Sequence, residues 1–84
     1  MTSIQYIRTK HFLNMLEERD IREEWVTVAI QSPDEIEDQV DGTRHFLKKI
    51  PERGGRWLRV IVNRSVQPNR AVTVFFDRRM RRNP

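Results

Sequence analysis

One stretch of the sequence surrounds a single arginine with β-branched and aromatic residues, WLRVIVN at residues 57–63. A second apolar stretch, AVTVFF at residues 71–76, follows after a connection that contains Pro68. Residues of these types are typical of strands, and strands as apolar as these are expected to be buried in the middle of a sheet. The two stretches therefore predict the two central strands of an antiparallel sheet.

The residues before this pair predict two further strands. RHFLKKI at residues 44–50 is separated from the first central strand by Pro51 to Gly55, whose residue types favour a turn. EIEDQV at residues 35–40 is polar, as is typical of an edge strand, and Asp41-Gly42 favours a two-residue hairpin. The prediction is a four-stranded antiparallel meander.

The first third of the chain predicts two helices. Apolar residues recur at helical spacing over residues 10–19, and Thr9 is a suitable N-cap. Asp20 with Glu23 three residues later forms a capping-box pattern, which predicts that the second helix begins at Asp20 and ends before Pro33. We therefore expect one α+β domain over residues 1–84, a two-helix hairpin packed on a four-stranded antiparallel sheet. Its core covers about residues 6–77, and residues 78–84 form a basic tail.

Alternation along the two central strands divides their side chains between two faces. The face expected under the helices carries Leu58, Val60, Val62, Val72, Val74 and Phe76. The opposite face carries Trp57, Arg59, Ile61, Ala71, Thr73 and Phe75. That second face is too apolar for bare sheet and contains an arginine, so it is predicted to be a ligand surface or an interface.

Charge is divided unevenly along the chain. The 84 residues carry 16 Lys and Arg against 12 Asp and Glu, a net charge of +4. Residues 1–42 hold four of the cations and ten of the carboxylates, whereas residues 43–84 hold the other twelve cations and only two carboxylates. Thirteen of the cations are arginine, which binds phosphate through two parallel hydrogen bonds. This asymmetry favours an anionic partner, nucleic acid first, at the basic half.

Composition also excludes several classes of protein. The chain has no cysteine, so disulfide bonds, thiol catalysis and cysteine-ligated zinc are ruled out. No apolar run approaches the length of a membrane span and no secretory pattern opens the chain, so we expect a soluble, cytoplasmic protein with no membrane partner. The carboxylates at residues 34–38 lie along one polar strand instead of converging around a turn, and no metal site is predicted.

Several short motifs, taken in order, resemble a known family. Their sequences are TKH at residues 9–11, ERDI at 18–21, DGT at 41–43, LRVIV at 58–62 and TVFFDRR at 73–79. In this order the chain resembles a family of small bacterial domains of unknown function that is distantly similar to the RelE/ParE superfamily of toxins, including the BrnT type. Two positions depart from the family pattern, which often has a basic residue in place of Met15 and a glycine in place of Asp20.

The resemblance implies a toxin of a toxin–antitoxin pair that acts as a metal-independent endoribonuclease on RNA, without a cofactor. An acidic antitoxin protein is the implied partner. Two alternatives remain open. One is a non-enzymatic module that binds RNA or protein, and the other is a structural homodimer formed through its strands or through Trp57, Ile61 and Phe75.

Metal-independent RNA cleavage needs a base, an acid and cations that stabilise the charged phosphorane, and histidine and arginine supply these. The catalytic candidates are His11, His45 and Arg59. Each has a structural alternative: His11 would anchor the first helix, His45 would be a surface residue, and Arg59 would form a salt bridge to Glu18 or another acidic helix residue.

Nucleic-acid binding is predicted for one arginine of the third-last strand stretch and for the four arginines of the tail. The candidates are Arg44, Arg78, Arg79, Arg81 and Arg82. A terminal run of this kind binds phosphate without sequence preference and is sensitive to salt. The alternative is a solvated tail with no ligand.

Overall fold

The computed structural model describes residues 6–80 as two helices on one face of a five-stranded mixed sheet. The elements in chain order are β1 (Tyr6–Arg8), α1 (Lys10–Glu18), α2 (Glu23–Gln31), β2 (Glu35–Asp38), β3 (Thr43–Ile50), β4 (Arg56–Asn63) and β5 (Asn69–Phe76). Short 3₁₀ turns at Pro51–Arg53 and Arg78–Met80 follow β3 and β5. The strand order is β1-β5-β4-β3-β2.

The predicted α+β class and two-helix hairpin are confirmed, but the prediction of four antiparallel strands is wrong. The additional strand, β1, pairs in parallel with β5 over Tyr6 to Arg8. Three residues are too few to show the alternation that identifies a strand, so only the pairing with β5 defines β1. The meander from β2 to β5 is antiparallel, as predicted.

The two helices begin for different reasons. Thr9 caps α1, and its hydroxyl accepts a hydrogen bond from the Phe12 amide at 3.1 Å. The capping box predicted at Asp20 is wrong, because α2 begins at Glu23 and its N-cap, Arg22, makes no side-chain capping bond. Asp20 has a φ of 55°, in the left-handed region that glycine adopts without strain. This backbone angle explains why glycine suits that position.

The core lies between the helices and one face of the sheet. It contains Phe12, Met15 and Leu16 from α1, Trp25, Val26, Ala29 and Ile30 from α2, and Phe46, Leu58, Val60, Val62, Ala71 and Val74 from the strands. Met15 is buried in this core. A basic residue at this position, as the family often has, would need a hydrogen-bonding partner for its buried charge.

A β-bulge between β4 and β5 changes which residues of β5 face the helices. The register shifts between Ile61 and Val62, so that Ile61 lies opposite Thr73 and Val62 opposite Ala71. Ala71 therefore joins the core, whereas Val72 is 40% exposed. The predicted row of Val72, Val74 and Phe76 is wrong at Val72, because the bulge adds one residue to β5.

The side of the sheet away from the helices is called here the outer face. Its cross-strand partners include Glu37 with His45, Leu47 with Arg59, and Arg59 with Phe75. Leu47, Trp57 and Arg59 are all buried, and Ile61 and Phe75 are half-buried. Within residues 6–80, no helix has the length and apolar character needed to cross a membrane.

Candidate nucleic-acid interface

Arg59 is the centre of a polar network on the outer face. Its Nε donates to Asp77 Oδ2 at 2.7 Å, and its Nη1 donates to Glu37 Oε1 at 2.9 Å. The same Nη1 lies 2.8 Å from Nδ1 of His45. Only 7% of Arg59 is exposed, so these partners compensate for a buried guanidinium. The predicted salt bridge to an acidic helix residue is not the one formed, because the helices lie on the other face.

Asp77 connects this network to the residues that follow β5. Its amide donates to the carbonyl of Trp57 at 2.9 Å, which extends the β4–β5 pairing by one residue. Its carboxylate accepts from Arg79 Nε at 3.1 Å, from Arg79 Nη2 at 3.2 Å and from the Arg79 amide at 2.9 Å. These bonds from Arg79, together with the one from Arg59, lower the pKa of Asp77 from 3.8 to about 2. Asp77 is therefore ionised and fixes the start of the C-terminal segment against the sheet.

His45 is held in its neutral form. Burial lowers its pKa and the neighbouring Arg59 lowers it further, although the carboxylates of Glu37 and Asp41 act in the opposite direction. Because a guanidinium can only donate, Nδ1 of His45 accepts from Arg59 and the ring proton lies on Nε2. The lone pair that a general base would use is thus engaged in this arrangement.

The three predicted catalytic residues divide between two layers of the molecule. His45 and Arg59 are in contact on the outer face. His11 is exposed on α1, in the helix layer that covers the opposite face of the sheet. The structure therefore brings together two of the three candidates and separates the third from them.

Arg44 also lies away from the outer face. It is paired with Val62 across β3 and β4, and Val62 faces the core. Its Nε and Nη2 donate to the two carboxylate oxygens of Asp38 at 2.6 and 2.9 Å. This bidentate pair already occupies the donor edge that a phosphate would need.

The charge asymmetry of the sequence is partly neutralised inside the fold. Cations of the basic half pair with carboxylates of the acidic half in five places: Arg44 and Arg64 with Asp38, Lys48 with Asp34, Arg53 with Asp20, and Arg59 with Glu37. The net positive charge therefore concentrates on fewer residues than the sequence count suggests.

Apart from Arg70, which lies at the start of β5, the remaining cations of the basic half within the described residues lie where β3 meets β4 and β5 ends. Ile50 lies opposite Arg56, and the Asp77 amide bonds to Trp57, so these strand ends are adjacent. We define the basic end as Lys49, Arg56, Arg78 and Arg79. All four are exposed, and across residues 6–80 the first three make no ion pair.

Two members of the basic end could be predicted from the sequence, and two could not. Arg78 and Arg79 were predicted from the basic run, whereas Lys49 and Arg56 are more than 20 residues from that run and come close to it only through strand pairing. Arg81 and Arg82 lie outside the described residues. The tail predicted from residue 78 onward begins as the 3₁₀ turn Arg78–Met80, fixed by Asp77.

The patch predicted as a dimer interface is largely covered. Trp57 is buried, with the Lys49 ammonium 5.4 Å from its ring centroid, and Ile61 and Phe75 are half-buried. Among residues 6–80, no group of three His, Asp or Glu side chains is placed to hold a metal ion.

Residues 8–76 match the family described as a domain of unknown function, DUF4258. The match covers most of the chain, and the protein belongs to this family. Comparison with curated proteins finds no match, and comparison with solved structures finds none.

Proposed function

We propose that this member of the DUF4258 family binds RNA through its basic end and serves as the toxin of a toxin–antitoxin pair. The RNA-binding part rests on one observation: the bonds of Asp77 to the buried Arg59 and to Arg79 fix the segment that carries Arg78, which is exposed and makes no ion pair within residues 6–80. The toxin part rests on the resemblance of the sequence motifs to a family of small bacterial domains that is distantly similar to RelE/ParE toxins.

The Asp77 network supports binding because it orders cations that would otherwise be a flexible tail. Each immobilised long side chain costs about 0.5–1.5 kcal/mol of entropy on binding, and ordering before binding removes part of that cost. Asp77 occupies the Nε and Nη2 donors of Arg79, as Asp38 does for Arg44, so these bonds fix the segment after β5 and do not themselves offer a phosphate site. Arg78, one residue from the fixed carboxylate, is exposed and makes no ion pair within residues 6–80, so it is the cation that this segment presents. Lys49, beside Trp57 on the outer face, and Arg56, beside Phe76 on the helix side, lie at the same end of the strands.

An acidic antitoxin would cover this same surface. The basic end carries four cations, and Asp77, which contacts one of them, is already shared by two arginines. A peptide rich in Asp and Glu is complementary to such a surface and would compete with RNA for it. Release of the peptide would then expose the basic end.

Endoribonuclease activity is a second candidate, favoured by the contact between His45 and Arg59. In such a reaction a base removes the ribose 2′-hydroxyl proton, the 2′-oxygen attacks the phosphorus, and the 5′-oxygen leaves with a proton from an acid. Arg59 turning from His45 to the substrate phosphate would free Nδ1 to act as that base. Since Nδ1 is engaged here and His11 lies in the other layer, the geometry supports binding more directly than cleavage.

RNA binding is tested with Arg78→Ala against Lys10→Ala as the matched control. Both side chains are exposed, and each substitution removes one positive charge, but Lys10 lies on α1, away from the basic end. In gel shifts over a series of salt concentrations, Arg78→Ala should reduce the salt slope by about 0.7 for single-stranded RNA, whereas Lys10→Ala should leave it unchanged. Equal effects of the two substitutions would contradict a localised RNA site.

The toxin and nuclease parts are tested by inducing the wild-type protein alone in cells. We expect growth arrest, relieved by co-expression of an acidic partner. Harmless induction would refute the toxin part while leaving the RNA-binding result to stand separately. Loss of RNA cleavage but not of RNA binding in His45→Ala would support catalysis, and intact cellular RNA during wild-type growth arrest would rule it out.

A further inference from the structure

We propose that the cleft beside the turn between α1 and α2 holds one unpaired base of single-stranded RNA. This inference rests on the proposed RNA binding and specifies the form of RNA bound. The cleft measures about 400 Å³ and is lined by Asp20, Arg22, Trp25, Glu52 and Arg53. Its volume falls within the ~300–1,000 Å³ of sites that bind small molecules.

Two arginines lie within cation–π distance of Trp25, which also lines the cleft. The guanidinium carbons of Arg22 and Arg53 lie 5.9 and 5.4 Å from the ring centroid of Trp25. Arg53 also lies 5.5 Å from the ring centroid of Phe76, and the two aromatic rings meet edge to face at 6.1 Å. A guanidinium held over an aromatic ring is a flat surface, on which an unpaired base can stack.

The position of Arg53 is further fixed by Asp20. Its Nη2 donates to the Asp20 carbonyl at 2.7 Å and to the carboxylate Oδ2 at 2.9 Å. The left-handed φ of Asp20 belongs to the turn that presents these two oxygens. The stacking surface therefore exists before any ligand binds, which reduces the entropy lost on binding.

Charges in and around the cleft favour a base inside it and phosphates outside. The carboxylates of Asp20 and Glu52 balance the charges of Arg22 and Arg53 in the lining of the cleft, so the cleft has no net positive charge to attract a phosphate. The same oxygens can accept hydrogen bonds from the exocyclic amino group of cytosine, adenine or guanine. Uracil has no exocyclic amino group and offers the cleft only its ring N3–H as a donor, so it should bind less well than cytosine or adenine.

Phosphates have their own sites next to the cleft. The guanidinium carbon of Arg56 lies 4.7 Å from the ring centroid of Phe76, which Arg53 also contacts. Arg56 precedes Trp57, whose carbonyl accepts from the Asp77 amide, so the chain at Arg56 adjoins the segment that carries Arg78. A single strand can place a base against Arg22 and Arg53 and its adjacent phosphates on Arg56 and Arg78, whereas a duplex keeps its bases paired and inaccessible.

The experiment compares Arg22→Lys with Arg64→Lys. Both substitutions keep the charge and remove the planar guanidinium, but Arg64 follows the opposite end of β4 and pairs with Asp38. Binding of a labelled ten-nucleotide RNA and of the same RNA annealed to its complement is measured by fluorescence anisotropy. We expect the wild type to bind the single strand about tenfold more tightly than the duplex, as one stacked base would give. Arg22→Lys should lose most of that preference with duplex binding unchanged, and Arg64→Lys should keep it.

Decamers of cytidine, adenosine and uridine test how the base is recognised. Wild-type protein should bind the cytidine and adenosine decamers more tightly than the uridine decamer, and Glu52→Gln should narrow the difference. Equal affinity for single strand and duplex, or an Arg22→Lys effect no larger than that of Arg64→Lys, would overturn the base-binding cleft and leave RNA binding intact. An affinity difference between the cytidine or adenosine decamer and the uridine decamer that is as large in Glu52→Gln as in the wild type would overturn recognition by the carboxylate. Failure to bind any of these RNAs would overturn the proposed function itself.

Discussion

Replacing Asp77 with asparagine should destabilise the protein in a pH-dependent way. The substitution keeps the shape of the side chain and removes the charge that compensates Arg59, of which only 7% is exposed. The pKa of Asp77 is lowered from 3.8 to about 2. At 1.36 kcal/mol per pKa unit, that change corresponds to about 2 kcal/mol of stability.

The sign follows from the direction of the pKa change. A carboxylate whose pKa is lower in the folded protein than in the unfolded chain stabilises the fold above the unfolded value of 3.8. That contribution falls as the pH drops from about 4 to about 2, and it is lost below the folded pKa. The free energy of unfolding of Asp77→Asn should therefore be about 2 kcal/mol below wild type at pH 7, and the two should converge towards pH 2.

Urea denaturation followed by circular dichroism between pH 7 and pH 2 measures this difference. The matched control is Asp38→Asn, which also removes a carboxylate shared by two arginines, Arg44 and Arg64. The Asp38 side chain is 55% exposed, so its ion pairs should contribute less than about 1 kcal/mol. A loss below about 0.5 kcal/mol in Asp77→Asn at pH 7 would refute the reasoning, as would a difference that stays constant down to pH 2.

Three further predictions concern the core, the neutral histidine and the helix turn. Phe12→Ala removes a fully buried ring and should lower the free energy of unfolding, measured by urea denaturation, by about 3–5 kcal/mol. Leu13→Ala, at an exposed position of the same helix, should lower it by less than about 1 kcal/mol. Burial and Arg59 lower the pKa of His45, so its NMR titration should have a midpoint at a pH below 6.5, and the free energy of unfolding should fall as the pH drops below 6.5. A midpoint above pH 6.5 would contradict the contact with Arg59. Because Asp20 has a φ of 55°, Asp20→Gly should be more stable than Asp20→Ala by about 1 kcal/mol in thermal denaturation, and equal stability would exclude strain at this turn.

The main elements of the fold could be predicted from local pattern. Helical spacing with Thr9 as a cap identified α1, and the apolar stretches at residues 57–63 and 71–76 identified the central strands, because each pattern is repeated within a few residues. The β1 strand and the β5 bulge have no such local pattern. Both depend on which backbone groups find partners across the sheet, and a one-residue bulge moves Val72 out of the predicted row.

The site was only partly predictable, for a similar reason. An arginine among apolar strand residues identified Arg59 as a paired or functional group, since a buried guanidinium needs partners. Its partners Glu37, His45 and Asp77 lie at separations of 22, 14 and 18 residues and come from three different parts of the chain. Their selection depends on which face of the sheet the helices cover.

The amino-acid sequence by itself determined the α+β class, the antiparallel meander, the need to compensate Arg59 and an excess of positive charge in the second half. These properties depend on composition and on spacing over a few residues, which any conformation of the chain retains. Only the tertiary structure decided where the charge is available. Folding pairs Arg44, Lys48, Arg53, Arg59 and Arg64 with carboxylates of the first half, and it brings Lys49 and Arg56 beside Arg78 and Arg79. Charges interact through space over a few ångströms, so the pairing of strands and not the order of residues sets the surface that a partner meets.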